Sequence, residues 1–246
     1  RYIKEDENSA TGLASILVED NGKNRIIVYP GANMTMTADD IEDGFTCYPD
    51  AVYLQFEIPD EAAIEATRRA NEEGIPVFID AGPARLDFPL SRLGKIEIFS
   101  PNESETRVFT GIAPTSEENA LRAAIKLSSM VDAKYIVIKL GDRGSFIYDK
   151  KEYYVIPSEK VDVVDTTAAG DVFTAVMTYV YLSNKNIISA VKYATCAAAL
   201  SVTKAGASSS IPTRAEVIAY AKNKVAAENG TADNADAVVK DEAEEK

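Results

Sequence analysis

Val163-Val164-Asp165-Thr166-Thr167-Ala168-Ala169-Gly170-Asp171-Val172-Phe173 joins two kinds of chain. Before it, residues 153–156 and 161–164 are β-branched or aromatic and read as extended backbone, while residues 172–182 form a continuous apolar run that reads as helix. The stretch therefore falls at a helix N-terminus, with Ala168, Ala169 and Gly170 set between the carboxylates of Asp165 and Asp171. The first N–H groups of a helix have no intrahelical partners and the helix dipole adds positive potential, so an anion can be held there without a basic side chain. Small residues let oxygen atoms approach that backbone closely. Asp171, in the first turn, would lie beside the anion, where a carboxylate can take a proton from an attacking hydroxyl. A structural alternative has Asp165 or Thr166 capping the helix and Asp171 complementing its dipole. The segment alone leaves both open.

Outward from this point, strands and helices alternate. Residues 12–18 and 25–29 are β-rich and joined through Asn21-Gly22, a strong hairpin signal. Strands are expected at 51–56, 76–80, 96–99 and 135–140, with a hairpin of 145–148 and 153–156 around Asp149-Lys150-Lys151. Helices are expected at 59–73, 103–109, 117–131, 169–182, 187–203 and 214–224. Alternation with short buried strands implies an α/β fold with a mostly parallel sheet covered on both faces, and such folds bind ligands beyond the carboxyl ends of their strands. The last stretch, 226–246, is rich in Ala, Asp, Glu and Asn and reads as a solvated, disordered acidic tail.

Composition narrows the chemistry. A chain of 246 residues can bury a sizeable core, and its net charge of −13 disfavours nucleic acid and anionic membrane as partners. An anionic nucleotide must then be held by local N–H groups and metal ions. The sequence contains no histidine, so Ser-His-Asp triads, Cys-His dyads and histidine metal sites are excluded, and a general base has to be a carboxylate, Lys, Tyr or Cys. Cys47 and Cys196 lack metal-ligand spacing and read as reduced, buried thiols, which suits a cytoplasmic protein. No apolar run approaches the length of a membrane span, and no signal-peptide pattern precedes the first strand.

Four further segments carry possible chemistry. Lys139-Leu140-Gly141-Asp142-Arg143-Gly144 ends a strand with two glycines three apart, either an ordinary strand-turn-strand connection or a turn whose backbone lies against a nucleotide. Ser100-Pro101-Asn102-Glu103-Ser104-Glu105 starts a helix. Asn102 with Glu105 suits a capping box, and equally suits water and Mg²⁺ organised around nucleotide phosphates. Glu57, directly after a strand, is a solvated edge residue or an acceptor for substrate hydroxyls. Residues 201–212 end a helix with small, carbonyl-presenting residues, a plain loop or, with Asp165 supplying charge, a monovalent-cation site.

Taken in order, Pro30-Gly31-Ala32-Asn33, Leu54-Gln55-Phe56-Glu57, Asp80-Ala81-Gly82-Pro83-Ala84, Pro101 to Glu105, Leu140 to Gly144 and Asp165 to Asp171 resemble the ribokinase-like (PfkB) carbohydrate kinase family. The resemblance covers nearly everything from Thr11 to Pro212. It implies a three-layer α/β/α kinase domain at 32–225 with part of a small β-lid at 1–31. It implies ATP-dependent phosphorylation of a pentose, D-ribose to D-ribose 5-phosphate, with Asp171 as base and the N–H groups of Ala168, Ala169 and Gly170 as anion hole. It places Asn102, Lys139, Leu140, Gly141, Asp142, Arg143, Gly144 and Gly170 at ATP, with Thr195 where members often carry Asn or His near the adenine. It gives Glu105 to Mg²⁺ through water, Glu57 to the sugar, and Asp165, Thr167, Ser201, Lys204, Gly206 and Ser210 to an activating K⁺.

The family's N-terminal strand with its sugar-binding Asp, and its Gly-Gly-Lys-Gly-type substrate motif, do not occur in this sequence. The chain is therefore expected to lack the family's N-terminal part and to pair as a homodimer through the lid only where that part is present. A fructokinase, deoxyribokinase or nucleoside kinase of the same family, and a non-catalytic nucleotide-binding module, are the rival expectations.

Overall fold

The computed structural model describes residues 3–18 and 24–229. They fall into two compact units, one of residues up to Ile138 with Ile147–Tyr153, the other of Lys139–Phe146 with the chain from Tyr154 onward.

The first unit opens on an antiparallel hairpin, β1 (Leu13–Val18) and β2 (Asn24–Tyr29), in register from Leu13 opposite Tyr29 to Val18 opposite Asn24. The expected Asn21-Gly22 turn lies outside the described residues. Consecutive β1 residues point to opposite faces, yet Ile16 and Leu17 are 44% and 54% exposed, so neither face of the hairpin is buried. Its base is held where Gly31, at φ +54°, brings its backbone against Ala10, and Ala32 N–H donates to the Ala10 carbonyl at 2.9 Å. Any Cβ at Gly31 would lie 2.3 Å from that carbonyl oxygen.

Helix α1 (Ala38–Phe45) was not anticipated, because Ile41 and Phe45 alone supply too little apolar periodicity. Local chemistry builds it instead: Thr37 and Asp40 form a reciprocal capping box, and Lys4 pairs with Asp40 and Asp43 at 2.7 Å. Cys47, just past α1, is exposed rather than buried, since the chain there turns out along the surface; Cys196 is buried.

Strand β3 (Val52–Leu54) is shorter than expected. Phe56 leaves the ladder, donates its N–H to the Gly82 carbonyl at 2.8 Å, and stacks on Phe88 with ring centroids 4.1 Å apart. Phe99 and Phe109 complete this aromatic cluster, and each such buried ring stabilises by about 1.5–3 kcal/mol. Helix α2 (Asp60–Glu73) leads to β4 (Val77–Asp80), and β5 (Ile96–Ser100) leads through α3 (Glu103–Thr110) and α4 (Glu117–Met130) to β6 (Ala133–Lys139). Neighbours β3 to β6 are paired in parallel. β7 (Ser145–Tyr148) and β8 (Tyr153–Ile156) follow through connections too short for a parallel crossover, giving a six-stranded sheet of order β3-β4-β5-β6-β7-β8. β4 is buried along its whole length, apolar from Val77 to Ile79 and ending on the buried Asp80.

In the second unit, α5 (Ala169–Asn184) and α6 (Ile187–Val202) are joined by two residues and pack closely, burying Met177, Tyr181, Val191 and Ala194 completely. Helix α7 (Arg214–Asn229) docks through Val217 onto Val172, Cys196 and Ala197. It runs past the point where the acidic stretch begins at Ala226, and residues 230–246 lie outside the described residues. Residues 161–164, expected to be extended, form no strand; Val163 and Val164 stand exposed.

Candidate functional site

In the second unit, α5 begins without a side-chain cap. Its N-cap residue is Ala168, in the left-handed conformation at φ 63° and ψ 4°. Such a conformation costs a non-glycine residue roughly 1–2 kcal/mol. The structural alternative of a capped helix is thereby overturned. Asp165 turns away: its Oδ1 accepts from Thr167 N at 2.9 Å and Thr167 Oγ1 at 2.7 Å, and its Oδ2 accepts from Gly206 N at 2.9 Å. The Thr167 hydroxyl first, then the Thr167 and Gly206 amides, hold the Asp165 carboxyl below the usual carboxylate range. The Thr166 carbonyl accepts from Ala169 N at 3.2 Å. Asp171, exposed, occupies the first turn as expected.

Beside this N-terminus lies a cavity of about 520 Å³. Ala169 and Gly170 form one edge, and Lys139, Gly141, Asp142 and Gly144 another, while Thr195 comes from α6. Leu140, Arg143, Ala168 and Asp171 adjoin these residues without lining the cavity. Lys139 Nζ donates to Thr174 Oγ1 at 3.4 Å, and Thr174 Oγ1 donates to the Gly170 carbonyl at 3.1 Å, tying the end of β6 to the first turn of α5. A Cβ added to Gly170 would meet only Lys139 Nζ, at 3.7 Å, so this backbone faces open space.

The glycine turn is as tight as the sequence suggested. Leu140 N donates to the Gly144 carbonyl at 2.8 Å, and Gly144 sits at φ +92°. A Cβ there would lie 2.0 Å from the Ile156 carbonyl oxygen, so no larger residue fits. Ser158 Oγ donates to the Asp142 carbonyl and closes the turn against the next loop. Sequence reading missed the part of the wall from residues 158–163 and from Ala198, Ala199 and Val202 on α6. The run of small residues on α6 was the available signal. Thr195 spends its hydroxyl proton on the Val191 carbonyl at 2.8 Å and can only accept from a ligand.

The residues expected at a K⁺ lie within this unit too. Asp165, Thr167 and Gly206 share the hydrogen bonds above, and the Ser201 carbonyl accepts from Lys204 N at 3.1 Å. Lys204 Nζ pairs with Glu216 at 3.0 Å, which leaves its main chain for any cation. Ser210 Oγ donates to the Ala207 carbonyl at 2.7 Å.

In the first unit, Asn102 and Glu105 form the full capping box of α3. Glu105 N donates to Asn102 Oδ1 at 2.9 Å, and Asn102 N and Nδ2 donate to the two Glu105 carboxylate oxygens at 2.7 and 2.8 Å. Gly82 gives the Glu105 carboxylate room, since a Cβ there would lie 2.6 Å from Glu105 Oε1. Glu57 is exposed and lies along a separate groove of about 500 Å³ with Asn33. Among the described residues, no group of three or more Cys, Asp or Glu is arranged to hold a metal, and no helix is long and apolar enough to cross a membrane.

A small-residue helix N-terminus beside a carboxylate and a nucleotide-sized cavity matches the pattern expected of a phosphate-binding fold, and residues 1–214 match the pfkB family carbohydrate kinase profile. The chain belongs to this family. A bifunctional ribokinase/ribose-5-phosphate isomerase A from Fructilactobacillus sanfranciscensis is 38% identical over 211 residues, 85% of this chain and 39% of that protein. A ribokinase from Arabidopsis thaliana is 34% identical over 230 residues, 90% of this chain and 59% of that one. The chain thus spans well under two thirds of either relative. The structure of Arabidopsis thaliana ribokinase complexed with ribose and ATP superimposes with a TM-score of 0.77 at 32% identity, covering 87% of this chain and 70% of that one. The ribokinase-like α/β fold, with its mostly parallel sheet, is therefore established for this pfkB family member.

Proposed function

We propose that this chain phosphorylates a pentose with ATP, converting D-ribose to D-ribose 5-phosphate. The observation that carries the proposal is the uncapped N-terminus of α5, with Asp171 in its first turn and the 520 Å³ cavity along its Ala169–Gly170 edge. Family membership and the likeness to a ribokinase bound to ribose and ATP support it.

In the reaction, Asp171 removes the proton from the sugar's terminal hydroxyl as that oxygen attacks the γ-phosphorus, and the bond to the β–γ bridging oxygen breaks, releasing ADP. The N–H groups of Ala168, Ala169 and Gly170 stabilise charge on the transferring phosphoryl group. Glu57 accepts from sugar hydroxyls. Asn102, the turn Lys139-Leu140-Gly141-Asp142-Arg143-Gly144, Gly170 and Thr195 contact the nucleotide.

The donor set suits Mg²⁺ held by Glu105 through water together with nucleotide phosphates, because Mg²⁺ takes few protein ligands and no all-protein cage exists among the described residues. Bound there, it would supply charge neutralisation at the phosphates. Asp165, Thr167, Ser201, Lys204, Gly206 and Ser210 suit K⁺, with the Asp165 carboxylate already drawing the loop of Thr167 and the loop of Gly206 together. The hairpin within 1–31, with exposed apolar residues on both faces, acts as part of a lid that pairs with a second copy where the family's N-terminal part is present; residues 32–225 form the kinase domain, the stretch 226–246, whose first residues extend α7, is acidic, and the protein works in the cytoplasm.

An ADP-release assay over D-ribose, deoxyribose, fructose and adenosine tests this reading. D-ribose should be turned over best. A higher kcat/KM for any of the others would reassign the acceptor, and ADP binding with no turnover on any sugar would leave a nucleotide-binding module.

A further inference from the structure

The loop between β8 and α5 supplies one wall of the nucleotide-sized cavity, through Ser158, Glu159, Val161 and Val163 among others. Besides the bond from Gly206 N to Asp165, three ties hold it among the described residues. Ser158 Oγ donates to the Asp142 carbonyl, and Val164 N and Asp165 N donate to the Val202 carbonyl at 2.8 and 3.2 Å. Both of those ties come from segments that themselves line the cavity. The third does not: the Glu159 carboxylate pairs with Lys224 Nζ of α7, a helix that contributes no residue to the cavity wall.

Three features mark this pair as more than a surface contact. The Glu159 side chain is only 11% exposed, and a carboxylate so placed needs a charged or hydrogen-bonding partner to stay where it is. Lys224 lies one helical turn beyond Tyr220, on the same face, and Tyr220 packs with Val217 onto the Val172, Cys196 and Ala197 cluster of α5 and α6. Burial, then the neighbouring Glu159 charge, push the Tyr220 hydroxyl up, a second sign that the Glu159 carboxylate faces α7. The hydrophobic seat of α7 thus fixes where Lys224 stands, and Lys224 fixes where Glu159 stands.

We propose that Lys224 is a positioning residue for nucleotide binding: by anchoring Glu159 it sets the loop wall of the cavity, so that docking of α7 tunes nucleotide affinity without α7 touching the nucleotide. The inference rests on the cavity's being the nucleotide site. With Lys224 removed, Glu159 swings toward water and the loop between its remaining ties relaxes.

Calorimetric titration of ADP into the parent chain and five variants tests it: Lys224→Met, Lys224→Arg, Lys224→Glu, Glu159→Lys, and the double charge reversal. Lys224→Met should weaken ADP three- to tenfold, with kcat at saturating ATP within twofold of the parent, while Lys224→Arg binds nearly as the parent does. Each single reversal should weaken ADP at least as much as Lys224→Met, and the double reversal should recover most of the loss. If Lys224→Met proves too unstable to titrate, Lys224→Arg and the reversal pair decide. Parent-like ADP binding by Lys224→Met, or a double reversal as weak as the two single losses combined, would overturn the proposal. A parent chain that binds ADP but phosphorylates no sugar removes the kinase assignment and leaves the latch to stand on the ADP data. A parent that binds no ADP removes both.

Discussion

The N-termini of α3 and α5 both have a carboxylate in the first turn and are finished in opposite ways. At α3, Asn102 and Glu105 satisfy each other's backbone N–H groups and the site is closed on itself. At α5 no side chain caps the helix, Ala168 takes a strained left-handed conformation, and the nearest candidate, Asp165, bonds to Thr167 and Gly206 instead. A full cap stabilises by about 1 kcal/mol, so α3 gains what α5 forgoes. At a helix end that forgoes its side-chain cap beside a cavity, N–H groups other than that of Ala169, which donates to the Thr166 carbonyl at 3.2 Å, can serve a ligand.

That contrast fails first if the carboxylate at α5 does no chemistry. Asp171→Asn should lower kcat in an ADP-release assay by about 10³-fold, within the usual range for a lost general base, while ADP affinity measured by calorimetry stays within about threefold. Turnover equal to the parent's would reduce α5 to an ordinary helix start.

Next in size is Gly170→Ala. The added methyl meets only Lys139 Nζ, at 3.7 Å, and alanine favours helix over glycine by up to about 1 kcal/mol, so the melting temperature should hold or rise. The same methyl occupies the space an anion's oxygens need, and kcat/KM should fall by about 10²-fold. A variant that is both more stable and less active is the signature of a surface kept open for a ligand.

At α3 the balance reverses. Asn102→Ala should cost about 1 kcal/mol, read as a drop of roughly 2–4 °C in melting temperature, with a smaller effect on kcat than at Asp171. A melting temperature equal to the parent's would show that the capping box contributes nothing.

The smallest effect concerns acid. The Thr213 amide first, then Lys204 and the Thr213 hydroxyl, hold Glu216 at about 2 against an ordinary 4.5, and Asp165 is likewise lowered. A carboxyl depressed in the folded state contributes stability that is present above its unfolded value and is lost as pH falls through the folded one. The urea midpoint should therefore decline between pH 4.5 and 2, and Glu216→Gln or Asp165→Asn should each flatten part of that decline. Both groups are well hydrated, so the slope should be shallow. An unaltered acid limb in both variants would remove the Asp165 bonds from the stability of the α5 loop and the Glu216 bonds from that of the start of α7.

Much of the fold was legible because its elements are periodic and punctuated. The strands of the sheet, the helices from α2 onward and the glycine turn all appeared near their observed bounds, since buried strands and amphipathic helices write their burial into residue order. Helix α1 escaped because capping and an ion pair with Lys4 hold it, with few apolar residues to betray it. β3 was overextended because Phe56 is as apolar as a strand residue, though it serves the aromatic cluster. At the site, the glycine turn and the small residues before Asp171 were readable, because only residues lacking bulk permit close approach of the backbone. The opposite wall of the cavity was not, because Glu159 and Val163 resemble ordinary loop residues and matter only through where the chain folds back.

The sequence by itself determined an α/β chain with no histidine to act as base, a small-residue helix start flanked by two aspartates, and the order of motifs that places it among the pfkB kinases. Composition and order suffice for these, because side-chain size and charge travel with the residue. Only the tertiary structure decided which helix N-terminus is closed and which is open. Asp165 could have capped α5 by its position in sequence. It does not because Gly206, 41 residues away, lies within hydrogen-bonding reach of its second oxygen, and that proximity is a property of the folded chain alone.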